Sequence, residues 1–459
     1  TPRFSAGFGS HNLRQASAGI GAGGERGWYG VDVAYQRTDG IDACSGSATL
    51  FAGCFADEPD RDGYRNRSLN LRGGLDLAPD LALEASLLRA ESENEYDGTV
   101  FGGNESENLQ QAVGTKLSWT VSPRLLLTAQ AGRSYDKSDN YFVDEATPRS
   151  LVSEFDTRRD TASLQADMGL TAAQDLSLGF DWQSDNVESA TDYALTSRTN
   201  FAVFSDYRAR FGAHRLQAGV RHDDNEQFGG HTTGSLGWGV DFAHGLRLNA
   251  SAGTSFKAPT FNDLYFPYSA NPDLEPERAK TANLGVAQYA DTWSWTLDVF
   301  ESRIDDLIFL DAAFVPQNIQ QARIRGAELT ASTTLAGWDL STQLSHVDPR
   351  DRSDNANFDN LLARRARSSG RLDVDRAFGD VRIGTTVRGA GSRYDNAANT
   401  VRVAGYGTMD LRMSWAFHAD WTLEARATNV FDKVYETVNW YTQPGREYGL
   451  ALRWRPVAR

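Results

Sequence analysis

Runs of about ten residues in which apolar and polar side chains alternate follow one another along the whole chain. In residues 176–182 (Leu-Ser-Leu-Gly-Phe-Asp-Trp) the bulky apolar residues take every second position, and residues 293–299 (Trp-Ser-Trp-Thr-Leu-Asp-Val) repeat the pattern. A period of two is that of a β-strand with one apolar face. Many runs carry an aromatic residue near one end, where its ring can lie at a membrane interface. The pattern predicts an all-β protein, a transmembrane antiparallel β-barrel.

The connections between these runs alternate in length. Short turns are predicted near residues 78–80, 174–175 and 243–245, whereas long, polar loops are predicted over residues 38–66 and 91–107. Short turns mark the periplasmic side of such a barrel and long loops mark the outside. Counting the runs gives a barrel of about 22 strands, a size whose lumen is wide enough to need a plug. No linker or change of composition divides the chain, so residues 1–459 are predicted to form one domain.

Composition narrows the classes of function. No stretch reaches the roughly 20 apolar residues that a spanning helix needs, so a helical membrane protein is excluded. The formal net charge is −15, with acidic residues concentrated in the predicted loops, which argues against a nucleic-acid partner. The seven histidines are scattered, and no nucleophile, base or paired-carboxylate arrangement stands out, so we do not expect an enzyme.

The chain has two cysteines, Cys44 and Cys54, in one predicted loop. Their short spacing fits a disulfide that staples the loop, which requires an oxidising compartment. The alternative is a zinc site, but two thiols without clustered histidines match that chemistry poorly.

Three segments resemble the TonB-dependent outer-membrane receptors. Residues 253–259 (Gly-Thr-Ser-Phe-Lys-Ala-Pro), followed by residues 271–277 (Asn-Pro-Asp-Leu-Glu-Pro-Glu), are similar to a strand and loop of that family. Residues 318–328 and 427–436 are similar to its later barrel segment and its C-terminal segment. The resemblance covers the second half of the chain and implies a receptor of the Gram-negative outer membrane, inserted among lipids and lipopolysaccharide.

Shorter segments are similar to the cobalamin transporter branch of the family. They are residues 221–229, 391–395, 435–438 and 444–448. The resemblance implies that cobalamin is the transported substrate. A siderophore or haem receptor of the same family, or a passive unplugged pore, is the alternative.

In that branch calcium orders two neighbouring loops and raises the affinity for cobalamin. The resemblance implies a calcium site formed by six residues of the first two long loops: Asp42, Asp60, Asp62, Tyr96, Asp97 and Glu105. Clustered carboxylates and carbonyls suit calcium, which takes 6–8 oxygen ligands. Glu107 is the alternative to Glu105.

Further residues are implied to contact the substrate. Arg364 and Arg365 match a lumen-facing arginine pair that helps hold the substrate, although an ordinary salt bridge is an equal alternative. Tyr96 is expected to contact the ligand through its side chain while its carbonyl binds metal.

The resemblance also implies partners. Members of the family act with a plug domain and with a TonB-type energising protein, and a surface lipoprotein is a further expected partner. Strand-like sequence starts at Arg3. The plug is therefore expected outside this chain in the same native protein, as a separate chain, or not at all, and we favour the first interpretation.

Overall fold

The computed structural model describes residues 1–44, 56, 58–144, 148–267, 269–311 and 313–456. The strands of the first half are β1 (Pro2–Gly9), β2 (Arg14–Gly24), β3 (Gly27–Thr38), β4 (Tyr64–Ala78), β5 (Leu81–Thr99), β6 (Gly103–Ser122), β7 (Leu125–Phe142), β8 (Ser150–Thr171), β9 (Gln174–Ser189), β10 (Ser197–Phe211), β11 (His214–Asn225), β12 (Gly229–Asp241) and β13 (Leu246–Lys257).

Those of the second half are β14 (Glu277–Tyr289), β15 (Trp293–Leu310), β16 (Pro316–Leu335), β17 (Trp338–Asp351), β18 (Ser368–Phe378), β19 (Val381–Ala390), β20 (Arg393–Tyr394), β21 (Arg402–Val403), β22 (Tyr406–His418), β23 (Trp421–Thr428), β24 (Glu436–Val438), β25 (Tyr441–Thr442) and β26 (Glu447–Trp454). A 3-10 turn (Ala243–Gly245) and one short helix, α1 (Phe261–Tyr265), lie between strands.

Twenty-two of these strands form one antiparallel sheet that closes on itself. Each strand pairs with the next along the chain, and β1 closes the sheet against β26 through pairs such as Phe4 with Trp454. Closure leaves no open sheet edge, so every strand in the ring has a partner on both sides. The predicted barrel of about 22 strands is confirmed. The hairpins β20–β21 and β24–β25 lie outside this sheet.

The two ends of the barrel differ. At one end, here the turn end, the connections are tight, as between Phe211 and His214. At the other, here the loop end, they include the long segments 39–63 and 258–276. Strands β5 to β8 are 18–22 residues long. About 9–11 residues suffice to cross a bilayer, so these strands continue well beyond it at the loop end.

The strand pair β15–β16 shows how the alternating pattern sorts the two faces. Trp293, Leu297 and Val299 are 39%, 41% and 42% exposed and share one face, here the outward row. Between them, the hydroxyl groups of Ser294 and Thr296 pair with hydroxyls of the next strand at 2.9 and 2.7 Å, on the lumen face. The apolar row faces lipid and the polar row lines the lumen, as the period of two predicts.

Across the described ranges, the structure contains no helix whose length and hydropathy would let it cross a membrane.

Candidate functional site

An acidic cluster lies at the loop end, between the loop 39–63 and the end of β5. One carboxylate oxygen from each of Asp60, Asp62 and Asp97 comes within 4.8 Å of the others. Asp60 and Asp62 belong to the loop, and Asp97 lies two residues from the end of β5. Three of the six predicted calcium ligands are therefore brought together by two different parts of the chain.

Asp62 is held by the backbone on the other side of its loop. Its amide donates to the carbonyl of Ile41 at 2.9 Å, and its carboxylate accepts from the amide of Ala43 at 2.7 Å. Gly40 makes this crossing possible, because its φ is +66° and a Cβ there would lie 1.8 Å from the carbonyl oxygen of Asp62. These local hydrogen bonds therefore hold the carboxylate of Asp62 in position without a bound ligand.

Asp97 is the least satisfied carboxylate of the cluster. Both its oxygens are enclosed, and neither has a hydrogen-bond partner among the described residues. Burial raises its pKa to about 7, and the negative charges of Asp62, Asp42, Glu58 and Asp60 act in the same direction. Each charged group that shifts this pKa is an acid, so the cluster concentrates negative charge around Asp97.

Asp62 shares this environment. Burial is the largest cause of its raised pKa, and Asp60 and Asp42 raise it as well, against the lowering effect of the hydrogen bond from Ala43. Asp42 therefore lies close enough to act on both Asp62 and Asp97, and its role as a ligand stays a prediction.

Glu58 is a further acid of the cluster on the loop side, beside Asp42, Asp60 and Asp62. It was not among the residues predicted from the sequence. Its carboxylate accepts from the amide of Gly98 at 3.0 Å and from the side-chain amide of Asn104 at 3.2 Å, which ties the loop to β5 and β6. Its place in the acidic run 57–62 was the available signal. The sequence alone does not distinguish which acids of that run turn toward Asp97.

This donor set suits a hard divalent cation. Five carboxylates, those of Asp42, Glu58, Asp60, Asp62 and Asp97, converge on one region, and oxygen-rich sites of this kind match Ca²⁺. A cation would supply the positive counter-charge that the enclosed carboxylate of Asp97 has no other source of in the cluster. The residues therefore fit the metal that the resemblance implies.

The other two predicted ligands are placed differently. The carboxylate of Glu105 pairs with Arg149 at 2.9 Å and is not one of the three carboxylates that meet within 4.8 Å. The hydroxyl of Tyr96 donates to the carbonyl of Gly102 at 3.2 Å and lies 3.2 Å from the side-chain oxygen of Asn140. Their roles as ligands stay predictions.

Arg364 and Arg365 lie in the loop between β17 and β18, and the side chain of Arg364 is 58% exposed. The guanidinium of Arg364 pairs with Asp395 at 3.0 Å, and its backbone has a φ of +61°. Arg365 donates to the carbonyl of Ala363 at 3.2 Å. The two neighbours therefore have separate partners, and their role in holding a ligand stays a prediction.

Hydrogen bonds connect the acidic cluster with Arg364 around the loop end. The carbonyl of Ala43, whose amide holds Asp62, accepts from the amide of Thr442 at 2.9 Å. In the same final loop, the amide of Asn439 donates to Asp395 at 3.3 Å, and Asp395 is the partner of Arg364. The first loop, the last loop and the arginine loop are thus tied together.

Cys44 lies in the first loop, beside the amide that holds Asp62, and is not a free thiol. Its predicted partner Cys54 falls outside the described residues. The disulfide between them stays a prediction.

A second acidic group, formed by Asp139, Glu154 and Asp156, lies on β7 and β8. Asp156 forms an ion pair with Lys137, so this group includes its own cation. Only the pairing of the two strands brings these residues together, and no motif marks them in the sequence.

The segments that carry the family resemblance have structural roles. Asn271 donates to the carbonyl of Pro316 at 3.0 Å, and Asn318 donates to the carbonyl of Glu275 at 3.0 Å, so two of the segments hold each other. In the third, the buried Asn429 donates to the carbonyl of Lys433 at 2.9 Å and shapes the final loop.

The sequence and the fold are similar to those of known proteins. A family model described as TonB dependent receptor-like, beta-barrel, matches residues 21–430. The chain is 29% identical to the vitamin B12 transporter BtuB of Photobacterium profundum, over 96% of this chain and 72% of that protein. It is 28% identical to the vitamin B12 transporter BtuB of Vibrio vulnificus, over 86% of this chain and 65% of that protein.

Among solved structures, the copper transporter OprC has the same fold, with a TM-score of 0.83 at 18% identity over 99% of this chain and 82% of that one. The match to the family model extends over most of the chain, and the closed 22-stranded barrel agrees with it. The chain belongs to the TonB-dependent receptor β-barrel family, whose members are receptors and transporters of the Gram-negative outer membrane.

Proposed function

We propose that this chain is the barrel of a cobalamin receptor and transporter whose acidic cluster binds Ca²⁺ and thereby orders the loop end for capture of the ligand. The observation that carries the proposal is the enclosed carboxylate of Asp97, which lies among four other acids and has no hydrogen-bond partner among the described residues. The vitamin B12 transporters among its relatives support cobalamin as the ligand.

Calcium would act on the loop rather than on the substrate. Without a cation, the carboxylates repel one another, and this repulsion opposes the contact between loop 39–63 and β5. A bound Ca²⁺ would attract each of these carboxylates and so offset their mutual repulsion. The hydrogen bond that the carbonyl of Ala43 accepts from Thr442, together with the contacts of Asp395 with Asn439 and Arg364, would then transmit the ordered position toward Arg364.

Arg364 and Arg365 lie at the other end of this series of hydrogen bonds and are the proposed ligand contacts. Cobalamin carries amide side chains and a phosphodiester, and a guanidinium donates well to both. The only hydrogen bond of the Arg365 side chain within the described structure is to Ala363, so most of its donors are available to a ligand. Uptake would then use a plug domain and TonB, as in the family.

The test is binding of labelled cyanocobalamin to outer membranes that contain the protein, in Ca²⁺ and in a calcium chelator. We expect calcium to strengthen binding at least about tenfold. Asp97→Asn should remove that gain, whereas Asp139→Asn, in the second acidic group, should retain it. Equal binding with and without Ca²⁺ would refute the role of the metal, and no binding at micromolar cyanocobalamin in either condition would refute cobalamin as the ligand.

A further inference from the structure

Trp440, in the final loop between β23 and β26, has a backbone conformation that a tryptophan rarely adopts. Its φ is +75°, the largest among the twelve non-glycine residues with positive φ in the described part of the chain. Eight of those twelve are asparagine, aspartate or histidine, which tolerate this region better than other residues do. A bulky side chain there crowds its own backbone, so the conformation costs stability and needs an explanation.

Trp440 occupies the second position of a two-residue turn. Strands β24 and β25 pair Val438 with Tyr441, so the turn consists of Asn439 and Trp440. Of the two, only Trp440 has a positive φ, and the second central position of such a turn normally holds glycine. The backbone alone would therefore favour glycine, and the indole is not needed to form the turn.

Two carboxylates hold the turn in this conformation. The amide of Asn439 donates to the carboxylate of Asp395 at 3.3 Å, and the amide of Trp440 donates to the carboxylate of Glu436 at 3.2 Å. A strained residue persists only where its surroundings fix it in this way. The turn is therefore a rigid support for the side chain of Trp440.

The turn lies where the arginine loop and the acidic cluster are connected. On one side, Asp395 also pairs with Arg364 at 3.0 Å. On the other side, Thr442 follows the turn and donates its amide to the carbonyl of Ala43 at 2.9 Å, and the amide of Ala43 holds a carboxylate of the acidic cluster. Trp440 therefore stands between the two groups of residues to which the proposed function assigns the ligand and the metal.

Backbone strain recurs at this place. Of the four remaining residues with positive φ in the described ranges, three have large side chains: Phe314, Arg364 and Trp440. Two of these three, Arg364 and Trp440, belong to segments that bond to the same carboxylate, that of Asp395. Residues in sparsely populated conformations cluster at ligand-binding sites, where the fixed geometry is part of the function. The clustering therefore points to recognition of a ligand.

The indole of Trp440 is available for a contact. The residue is only partly buried, and its indole N–H has no hydrogen-bond partner among the described residues. Tyr435, in the same loop, differs, because its ring stacks on that of Tyr406 with centroids 4.2 Å apart. An indole combines a large, flat apolar surface with one polar donor, and aromatic residues of this kind serve as rigid anchors in binding sites.

We infer that Trp440 is a ligand-contacting residue whose indole packs against a flat conjugated ring of the ligand, beside Arg364. The inference rests on the proposed function, because cobalamin contains two such rings, the corrin and the base of its nucleotide. A side chain that the turn already fixes loses little conformational freedom on binding, which raises the affinity. This gain offsets the strain of the turn and explains why the position holds tryptophan rather than glycine.

The test compares the wild type with Trp440→Gly for binding of labelled cyanocobalamin to outer membranes in Ca²⁺. We expect the variant to bind at least about tenfold more weakly, because it lacks the indole. Trp440→Phe, which keeps a flat ring, should bind within about threefold of the wild type. If the wild type binds and Trp440→Gly binds within about twofold of it, the inference is overturned and the proposed function is not. No binding by the wild type at micromolar cyanocobalamin would overturn both.

Two measurements separate a ligand contact from a structural role. Glycine adopts a φ of +75° without strain, so Trp440→Gly should unfold on heating at the same temperature as the wild type or higher. The variant should also retain the gain from Ca²⁺, because the hydrogen bonds of the turn use backbone amides. Loss of that gain would show that Trp440 acts through the acidic cluster and would overturn the inference. If Trp440→Gly is less stable than the wild type, Trp440→Asn, which also tolerates a positive φ, replaces it.

Cobinamide, which has the corrin but no nucleotide base, identifies the ring. Equal losses of cobinamide and cyanocobalamin binding in Trp440→Gly would assign the contact to the corrin. A loss confined to cyanocobalamin would assign it to the base.

Phe314→Gly is the matched control. Phe314 has a φ of +61°, is 51% exposed and lies at the loop end between β15 and β16. The control therefore also exchanges an aromatic residue at positive φ for glycine, away from the turn. It should bind cyanocobalamin within about twofold of the wild type. Equal losses in the two glycine variants would overturn the assignment of the contact to Trp440.

Discussion

The assignment of lipid and lumen faces along β15 makes a quantitative prediction for Leu297→Arg. Leu297 is 41% exposed on the outward row and is paired with Leu329 and Val286. It lies four residues from Trp293, which places it about 10 Å above the turn end of the strand, close to the middle of an apolar band about 25 Å high. An arginine there faces hydrocarbon.

The neighbouring position provides the control. Thr296 faces the lumen, where its hydroxyl pairs with that of Thr330 at 2.7 Å. We expect Leu297→Arg to reduce the free energy of unfolding by about 2–4 kcal/mol, because the charge enters the apolar band near its middle. Thr296→Arg should cost about 1 kcal/mol, the value of one net hydrogen bond, because water reaches the new side chain.

Trp295→Arg refines the prediction by depth. Trp295 shares the outward row but lies only about 5 Å above the turn end, so the cost of its charge should be smaller than that at Leu297. The assay is equilibrium unfolding in denaturant of the barrel folded in lipid vesicles, followed by tryptophan fluorescence. Equal costs at Leu297 and Thr296, or a greater cost at Thr296, would refute the assignment of the two faces.

Three further predictions concern the acidic cluster. Because burial and neighbouring acids raise the pKa of Asp97 to about 7, its proton competes with Ca²⁺, and the calcium affinity measured by titration calorimetry should fall about tenfold from pH 8 to pH 6. A calcium affinity that does not change with pH would contradict the environment described for Asp97. Without calcium, the loop should become less stable as the pH rises from about 4 to 7, because the folded state holds the proton of Asp97 more tightly than the unfolded state. The predicted Cys44–Cys54 disulfide would restrict the first loop by about 3 kcal/mol of chain entropy, so Cys44→Ser with Cys54→Ser should lower the calcium affinity several-fold, and unchanged affinity in non-reducing buffer would contradict a role for the disulfide in ordering the site.

The sequence was sufficient for the fold because a barrel repeats one simple rule. Alternation with a period of two, as in residues 293–299, assigns each side chain to lipid or lumen, and most short or long connections assign the two ends. The long loop predicted over residues 91–107 is wrong, because β5 continues to Thr99 and β6 begins at Gly103, so that these polar residues extend the strands beyond the membrane. The 22 strands of the structure agree with the number counted from these runs. Little long-range information was needed, because each strand of the ring pairs with its neighbours in chain order and only β1 with β26 closes it.

The site was only partly predictable. The acidic runs and the family resemblance indicated Asp42, Asp60, Asp62 and Asp97, but they did not show that Glu58 turns toward Asp97 or that Glu105 pairs with Arg149. Those outcomes depend on the way loop 39–63 folds back onto β5, through contacts between residues about 40 apart in the chain. Spacing along one loop carries no information about them.

Four basic residues on β14 to β17 show the same division between sequence and tertiary structure. Lys280, Arg303, Arg323 and Arg350 are separated by 20 or more residues, and each is an ordinary basic residue of its own strand. The sequence by itself determined which face of its strand each of them shares with the apolar residues. Only the strand register brings the four charges to the same height, because a shift of two residues in any of the pairings would keep the same face and move that strand's cation to a different height.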